Sequence, residues 1–409
     1  MRGGEICLEC ITELVNTCSG TRWEIYLEPA DPSTKSVDPV EKCECKYCDF
    51  IRRILIPEMV HNRYFCEPGS REFVEFDSVD VEHFDRKSSS KNTLHRVTAR
   101  VKFSGVTCSF PLIIKLLKHM ETVPSGPFLN EEMFYSKMTL NYGTDGIPKC
   151  YVSDLGRFDG QPVIVLEDLA TRGYTQVDDK LDEDHLKLCM KALATFHGKG
   201  LKLKADTFPI FKEFYAKLSV PMDWLHFHTS SSTGNPSISE IIGTSLLNPG
   251  FGLNISLGPI LLLEAALSEK IRNKQDVTTE MEPNDFWTIC HGDFTRNNLL
   301  FEYENGRPSD VKVIDWSTMR YCSPSIDFGH ILLENLPDDD NLSKVTIFCQ
   351  NILEIYLDTV KDEYPEVDRE LLKRDIIAKL PFAYGMIENR MLKKAGMMLR
   401  ALDQLGSFD

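Results

Sequence analysis

The sequence predicts an α+β protein in which a strand-rich N-terminal part is followed by a mainly helical C-terminal part. Alternating apolar and polar residues with turn signals between them predict strands from about residue 72 to 166. Apolar positions at helical spacing dominate after about residue 180. Within that helical part, residues 291–315 predict a β-hairpin with acidic and amide side chains at its two ends.

The composition is that of a globular chain without a general affinity for polyanions. The chain has 409 residues, of which 42% are hydrophobic and 26% charged, and a formal net charge of −16. This charge argues against nucleic acids and anionic membrane surfaces as partners. No apolar run is long enough to span a membrane, and the first residues lack a signal-peptide core. We therefore expect a cytoplasmic protein, and no partner protein can be inferred.

Three regions are predicted along the chain. Residues 1–65 form an extension that contains a linker rich in Pro, Asp and Ser, Ala30–Pro39, and a helix over Asp49–Val60. Residues 66–166 carry the predicted strands, and residues 167–409 carry the predicted helices and the hairpin.

The cysteines are interpreted as reduced thiols. Thirteen is an odd number, and most of them lie in apolar segments, as expected in a reducing compartment. Cys7, Cys10, Cys45 and Cys48 form two Cys-x-x-Cys pairs, the spacing of a zinc site. Further cysteines crowd this pattern and no accompanying hairpin is evident, so reduced cysteines are the favoured interpretation.

Two strands and a helix follow in the N-terminal part. Arg96–Phe103 alternates as a strand does, Gly105 marks a turn, and Phe110–Leu117 is a second strand with Lys115 inside it. A lysine in an apolar strand is costly to bury unless it is paired. The following sequence FLNEEMFY has Phe128 and Glu131 at helical spacing and offers a partner.

The next segments predict one strand and one long helix. Val163–Leu169 is a buried strand that ends in acidic residues, and Asp182–His197 has a helical apolar stripe that ends at His197, interpreted as a core histidine. Asp206–Thr288 contains many aromatic residues, for which helix packing is favoured over an open wall of a binding pocket.

The hairpin is the strongest local signal. Leu299–Phe301 and Val311–Ile314 are its strands, and Asn305-Gly306 is a typical turn between them. Asp293 and Asn298 therefore lie where the chain enters the hairpin and Asp315 where it leaves, so the three side chains converge.

These residue types suit phosphoryl transfer, which requires positioning and charge neutralisation more than covalent chemistry. Asp293 is placed to accept the proton of an attacking hydroxyl. Asn298 and Asp315 supply hard oxygen ligands for Mg²⁺ beside nucleotide phosphates. Each motif alone is also compatible with an ordinary turn or strand end, and their joint occurrence carries the prediction.

The motifs resemble those of a known superfamily. His291-Gly292-Asp293 followed by Asn298 resembles the HGDxxxxN signature of aminoglycoside phosphotransferases and choline kinases, and Ile314-Asp315-Trp316 resembles their metal motif. The segment SPSIDFGHIL at Ser323–Leu332 extends this match. Together with FLNEEMFY and VLEDL, the resemblance is closest to the ecdysteroid kinase-like group. It covers about residues 90–400 and implies a two-lobed, protein-kinase-like fold with a β-rich N-lobe and a mainly helical C-lobe.

The resemblance also implies roles for residues outside the hairpin. Lys115 would contact the α- and β-phosphates of ATP and pair with Glu131, with Glu132 as the adjacent alternative. The carbonyl of Glu167 and the amide of Leu169 would bind the adenine edge.

One segment departs from the pattern of the superfamily. The segment expected to cover the phosphates, Arg86–Asn92, contains no glycine, although glycine lets backbone amides approach phosphate closely. Ser89 and Ser90 with two lysines are candidates to replace it, and a basic surface loop is the alternative.

The resemblance implies a kinase that uses ATP and Mg²⁺ and phosphorylates a hydroxyl of a small acceptor, such as an ecdysteroid or another hydroxylated lipid or xenobiotic. A choline- or aminoglycoside-type kinase with a cationic acceptor and a catalytically inactive binding module are the alternatives. The glycine-free loop is the feature that supports the inactive module.

Overall fold

The computed structural model describes residues 46–83, 92–118, 126–219, 286–339, 341–385 and 400–407. In this part of the chain the predicted α+β class is confirmed: one five-stranded sheet is formed within residues 74–167, and the five longest helices lie after residue 182. The strands β1 to β9 are, in chain order, Val74–His83, Asn92–Phe103, Val106–Leu117, Cys150–Asp154, Val163–Glu167, Thr288–Cys290, Leu299–Glu304, Arg307–Val313 and Arg320–Cys322.

The first five strands form one sheet in the order β1-β2-β3-β5-β4. β3 and β5 are antiparallel, with Lys115 opposite Ile164, and β4 pairs with the other edge of β5. In β3, Leu112, Ile114 and Leu116 are fully buried, as the alternation of its residues predicts. The period of two places Lys115 on the face opposite to these residues.

The predicted hairpin is confirmed and is longer than expected. β7 and β8 are antiparallel with Leu299 opposite Val313, which places Asn298 and Ile314 next to each other at the open end. Asn305 and Gly306 have φ of 51° and 77°, the left-handed pair of the tightest hairpin turn. β6 and β9 form a second two-stranded antiparallel ribbon, with Cys290 opposite Arg320.

The helices α1 to α9 are, in chain order, Lys46–Phe50, Ile56–His61, Gly126–Met133, Thr139–Tyr142, Glu183–Asp206, Phe208–Lys217, Ser325–Glu334, Leu342–Glu363 and Arg369–Gly385. Wider helical turns join α1 to α2 and α3 to α4, at Ile51–Leu55 and Phe134–Met138. The helix expected over Asp49–Val60 is therefore confirmed. No helix among the described residues combines the length and the apolar character needed to cross a lipid bilayer.

Helix α5 corrects one expectation. It begins as predicted, because the side chain of Asp182 accepts a hydrogen bond from the amide of His185 at 3.0 Å. It does not end at His197 but continues to Asp206. A Cβ atom at Gly198 would lie 2.8 Å from the Cβ of Glu363, so this glycine lets α5 approach α8 closely instead of ending the helix.

The chain separates into two compact units, Met1–Glu82 with Thr98–Phe110 and His83–Val97 with Pro111–Asp409. In the first, Phe65 packs on Phe110 with ring centroids 4.7 Å apart. The second contains the large apolar core, to which α5, α7, α8 and α9 all contribute buried side chains. The predicted division of the sequence at residues 65 and 166 stays a prediction.

Candidate active site

Lys115 lies between two carboxylates. Its Nζ donates to Oε2 of Glu131 and is 3.5 Å from Oδ1 of Asp315. The side chains of Lys115 and Glu131 are 14% and 3% exposed, whereas that of Asp315 is 45% exposed. Burial by itself lowers the pKa of Lys115, but the two carboxylates outweigh it, so the net pKa of the ammonium group is raised. Lys115 is therefore a fixed positive charge.

Helix α3 presents Glu131 to Lys115, whereas the neighbouring Glu132 points elsewhere. Glu132 is half-buried beside Ser136, and its backbone carbonyl accepts a hydrogen bond from the hydroxyl of Ser153 at 3.1 Å. Of the two candidates from the sequence, Glu131 is the one that contacts the lysine. That this pair contacts nucleotide phosphates stays a prediction.

Asp293 and Asn298 belong to one compact loop. The Nδ2 atom of Asn298 donates to the backbone oxygen of Asp293 at 2.9 Å and to its Oδ2 atom at 3.0 Å. The amide of Thr295 also donates to the backbone oxygen of Asp293, at 2.9 Å, which closes the loop as a tight turn. Because the amide nitrogen of Asn298 is occupied by Asp293, its Oδ1 atom is the one left to bind a cation.

Asp315 is joined to that loop through the residue before it. The amide of Ile314 donates to the carbonyl of Asn298 at 3.0 Å, and the carbonyl of Ile314 contacts Nε2 of His291 at 3.1 Å. Asp315 has φ 62° and ψ 69°, the left-handed conformation, which is uncommon for a residue other than glycine. Such strain occurs where the surroundings hold a functional side chain in place.

The pKa of Asp315 is lowered from its ordinary value. Burial raises it, but Lys115, a hydrogen bond from Ser317 and the nearby His291 together outweigh the burial. The carboxylate is ionised at neutral pH, which is the form that binds a divalent cation.

Asp327 holds the start of the loop of Asp293 through hydrogen bonds to its backbone. Oδ2 and Oδ1 of Asp327 accept hydrogen bonds from the amides of His291 and Gly292, at 2.6 and 2.9 Å. Arg320 donates to the carbonyl of Gly292, and Nε2 of His197 lies 3.3 Å from Oδ2 of Asp327. His197 is fully buried and so is a core residue, as expected from the sequence.

His197, Cys290 and Asp327 lie with their ligand atoms within 4.8 Å of one another, a spacing that a metal ion would tolerate. Both oxygens of Asp327 are, however, occupied by backbone amides. Burial raises the pKa of the Cys290 thiol well above its ordinary value, and a protonated thiol is a poor metal ligand. The cluster is a structural brace of the loop.

The predicted adenine edge lies at the end of β5. The side chain of Glu167 accepts a hydrogen bond from the amide of Lys149 at 2.7 Å and pairs with Arg172 at 3.3 Å. Its carboxylate is thus engaged by protein groups, and a backbone contact to adenine by Glu167 and Leu169 stays a prediction.

Asp168, between these two residues, was not singled out from the sequence. Its buried carboxylate accepts from Arg96 at 2.7 Å and from the amide of Ala170 at 3.1 Å. Arg96 lies on a strand and Asp168 follows a strand end, 72 residues apart in sequence. No sequence motif links two residues at this separation, so the pair could not be predicted.

The candidate phosphate loop and most of the candidate zinc ligands lie in parts of the chain that the structure does not describe. Ser89 and Ser90 lie outside the described residues, as do Cys7, Cys10 and Cys45. Cys48 is fully buried in α1 and forms no disulfide within the described residues. The aromatic side chains of α6 that the structure describes as buried, Phe211, Phe214 and Tyr215, belong to the core, which favours helix packing.

The structure thus brings together a buried strand lysine paired with a helix glutamate, and an Asp-Asn-Asp set around a hairpin. The family model described as the ecdysteroid kinase-like family matches residues 93–367, which is more than half of the 409 residues. The chain belongs to this family, as the motifs of the sequence suggested.

Solved structures with low sequence identity also align with the chain. An aminoglycoside phosphotransferase from Alicyclobacillus acidocaldarius is 15% identical, with 80% of this chain and 92% of that chain covered and a TM-score of 0.39. A Plasmodium vivax ethanolamine kinase is 17% identical, with 80% and 82% covered and a TM-score of 0.38. The choline kinase LicA from Streptococcus pneumoniae is 15% identical, with 82% and 95% covered and a TM-score of 0.31. No curated protein matches the chain significantly.

Proposed function

We propose that this protein is an ATP-dependent small-molecule kinase that transfers the γ-phosphoryl group to a hydroxyl of a small acceptor. The observation that carries the proposal is the contact of Lys115 with both Glu131 and Asp315, beside the loop of Asp293 and Asn298. Membership of the ecdysteroid kinase-like family supports an ecdysteroid, or another hydroxylated lipid or xenobiotic, as the acceptor class.

The residues present fit a magnesium nucleotide. Asp315 is ionised and 45% exposed, so it is a hard oxygen ligand within reach of solvent, and Oδ1 of Asn298 is a second such atom. When bound, the metal neutralises the phosphate charge that develops during transfer. Lys115 supplies the complementary fixed cation for the phosphates.

Asp293 is the proposed general base. Its carboxylate is half-buried, and only one of its oxygens receives the side-chain hydrogen bond from Asn298 at 3.0 Å. That bond orients the carboxylate, so that the other oxygen can accept the proton of an acceptor hydroxyl. A cytoplasmic location is consistent with reduced cysteines, and the eight cysteines in the described part of the chain form no disulfide.

The proposal is tested first by calorimetric titration with adenosine 5′-(β,γ-imido)triphosphate, in the presence of Mg²⁺ and in EDTA. We expect binding that depends on Mg²⁺.

The variant Asp293→Asn should retain this binding but lose acceptor phosphorylation by about 1000-fold, because the base is removed and the metal ligands remain. The variant Asp315→Asn should lose the dependence on Mg²⁺.

The acceptor class is then tested with a panel of hydroxylated steroids, with choline, ethanolamine and an aminoglycoside as comparators. Transfer to the steroids alone supports the acceptor proposed above. Transfer to the cationic compounds alone would assign the second kind of kinase. Binding of the nucleotide without Mg²⁺ dependence, and without transfer to any compound, would contradict the assignment of the hairpin and leave a binding module.

A further inference from the structure

One face of helix α3 is turned towards the segment that follows Asp315. Gly126 and Asn130 in α3, and Phe134 at the start of the wider helical turn that continues it, recur every four residues, and this spacing places them on the same side. Phe134 stacks on Trp316 with ring centroids 3.8 Å apart and planes inclined by 10°. The helix that carries Glu131 therefore packs directly against the residue that follows Asp315.

Asn130 is the polar residue of this face, and it is fully buried. Its Nδ2 atom donates to the carbonyl of Ser219 at 2.8 Å and to the carbonyl of Ser317 at 3.0 Å. Its Oδ1 atom accepts from the amide of Ser219 at 2.8 Å. Only an amide side chain of this length both donates to and accepts from the backbone in this way. Asn130 thus ties three separate segments of the chain together.

Gly126 strengthens the same junction. A Cβ atom at Gly126 would lie 2.7 Å from the Cβ of Ser219 and still closer to its hydroxyl. The first turn of α3 therefore approaches Ser219 more closely than any other residue type would allow. The close approach at Gly126 and the hydrogen bonds of Asn130 therefore fix the same position of α3 relative to Ser219.

We propose that Asn130 is a positioning residue for phosphoryl transfer, which locks the helix of Glu131 onto the loop of Asp315. Asn130 directly precedes Glu131, and Ser317 follows Asp315 by two residues. Fixing the distance between these two carboxylates fixes Lys115 between them. It also braces the segment in which Asp315 adopts its left-handed conformation. This inference rests on the function proposed above.

The test is the magnesium dependence of nucleotide binding in Asn130→Ala. The measured quantity is the ratio of the Kd of adenosine 5′-(β,γ-imido)triphosphate in EDTA to its Kd in Mg²⁺. We expect the ratio to fall about 10-fold, as is typical when a residue that orients a metal ligand is removed. Thermal unfolding is recorded in parallel, to separate this effect from a general loss of stability.

Asn335→Ala is the matched control. Asn335 is also buried, accepts from the amide of Leu181 at 2.8 Å and donates to the carbonyl of Ile331 at 2.8 Å, but it contacts no residue of the site. We expect it to lower stability and to leave the Kd ratio unchanged.

A second pair of variants keeps Asn130 in place. Gly126→Ala should lower the Kd ratio, because the added methyl group clashes with the side chain of Ser219. Adding Ser219→Gly removes the clashing atoms and retains the backbone groups that bind Asn130, so the double variant should recover the ratio of the wild type. This pair decides the question if Asn130→Ala does not fold.

The outcomes separate the two proposals. A wild-type protein without magnesium-dependent binding would overturn the proposed function, and the inference with it. A wild-type protein with such binding, and an Asn130→Ala ratio equal to that of Asn335→Ala, would overturn the inference alone. So would a Gly126→Ala variant with an unchanged ratio.

Discussion

At the scale of single residues, the site combines one lysine with two carboxylates. Lys115 is 14% exposed and faces two carboxylates, so the group of three carries one net negative charge. Glu131 is buried and offsets the lysine, whereas Asp315 is the exposed member. The excess negative charge therefore lies on the side where solvent and a cation have access.

Removing Lys115 should destabilise the folded protein. In Lys115→Met the carboxylates of Glu131 and Asp315 lose the cation between them, and we expect the free energy of unfolding to fall by about 3 kcal/mol at pH 7. Urea denaturation measures the loss. Because two facing carboxylates raise the pKa of one of them, the deficit relative to the wild type should shrink as the pH falls towards 5.

Lys312→Met provides the comparison for this variant. Lys312 is 18% exposed and pairs with Asp310 at 3.2 Å, but Asp310 is 44% exposed and solvent screens the pair. We expect a loss of about 0.5 kcal/mol without pH dependence in this range. Equal losses in the two lysine variants would show that Lys115 is held no more strongly than Lys312, whose partner is exposed.

Some contacts of single residues could be predicted from the sequence and others could not. A lysine in the apolar strand β3 predicted a buried partner, because an unpaired ammonium is too costly there. The choice between Glu131 and Glu132 stayed open, because it depends on the rotation of α3 about its axis. Asn130 gave no signal, since its partners are backbone groups 89 and 187 residues away, and any segment offers such groups.

At the scale of elements, the loop before the hairpin is held by a close approach of two backbones. Gly292 has φ 87°, and a Cβ atom there would lie 2.9 Å from the carbonyl carbon of Thr318 and closer still to its oxygen. The loop of Asp293 and the segment after Asp315 thus meet at Gly292. A side chain at this position must push one of them away.

We therefore expect Gly292→Ala to lower the free energy of unfolding much more than Gly306→Ala does. Gly306 also has a left-handed φ, 77°, but a Cβ atom there would meet no other atom within 4 Å, so Gly306→Ala carries the conformational cost alone, about 1 kcal/mol. Gly292→Ala adds the displacement of Thr318 and should cost at least about 3 kcal/mol. Chemical denaturation of both variants tests the difference, and similar midpoints would contradict the close approach.

Elements with strong local signals were predicted best. The hairpin β7–β8 has a turn that only a few sequences form, and its register follows from the turn. The end of α5 was predicted at His197, where its apolar stripe ends. The helix continues through Gly198, which packs closely against α8, and Gly200, which lies close to Thr288, and no local pattern reveals these contacts.

At the scale of the whole molecule, the candidate site exists only in the folded chain. Lys115 and Asp315 are 200 residues apart in sequence, and Glu131, Asp293 and Asn298 come from other elements. A ligand that needs several of these groups cannot bind the unfolded chain with comparable affinity. The proposed function therefore implies that a magnesium nucleotide stabilises the fold.

This linkage gives a prediction for thermal unfolding. A magnesium nucleotide at 100 times its Kd should add about 2.7 kcal/mol to the free energy of unfolding and raise the Tm, whereas the nucleotide in EDTA should have a smaller effect. Asp315→Asn should abolish the difference between Mg²⁺ and EDTA, because it removes the exposed carboxylate beside Lys115. Asp310→Asn is the matched control, since Asp310 is 44% exposed, as Asp315 is 45% exposed, and lies on the same hairpin. If Asp310→Asn lost the magnesium effect as well, the effect would arise from the general acidity of the hairpin and not from one metal ligand.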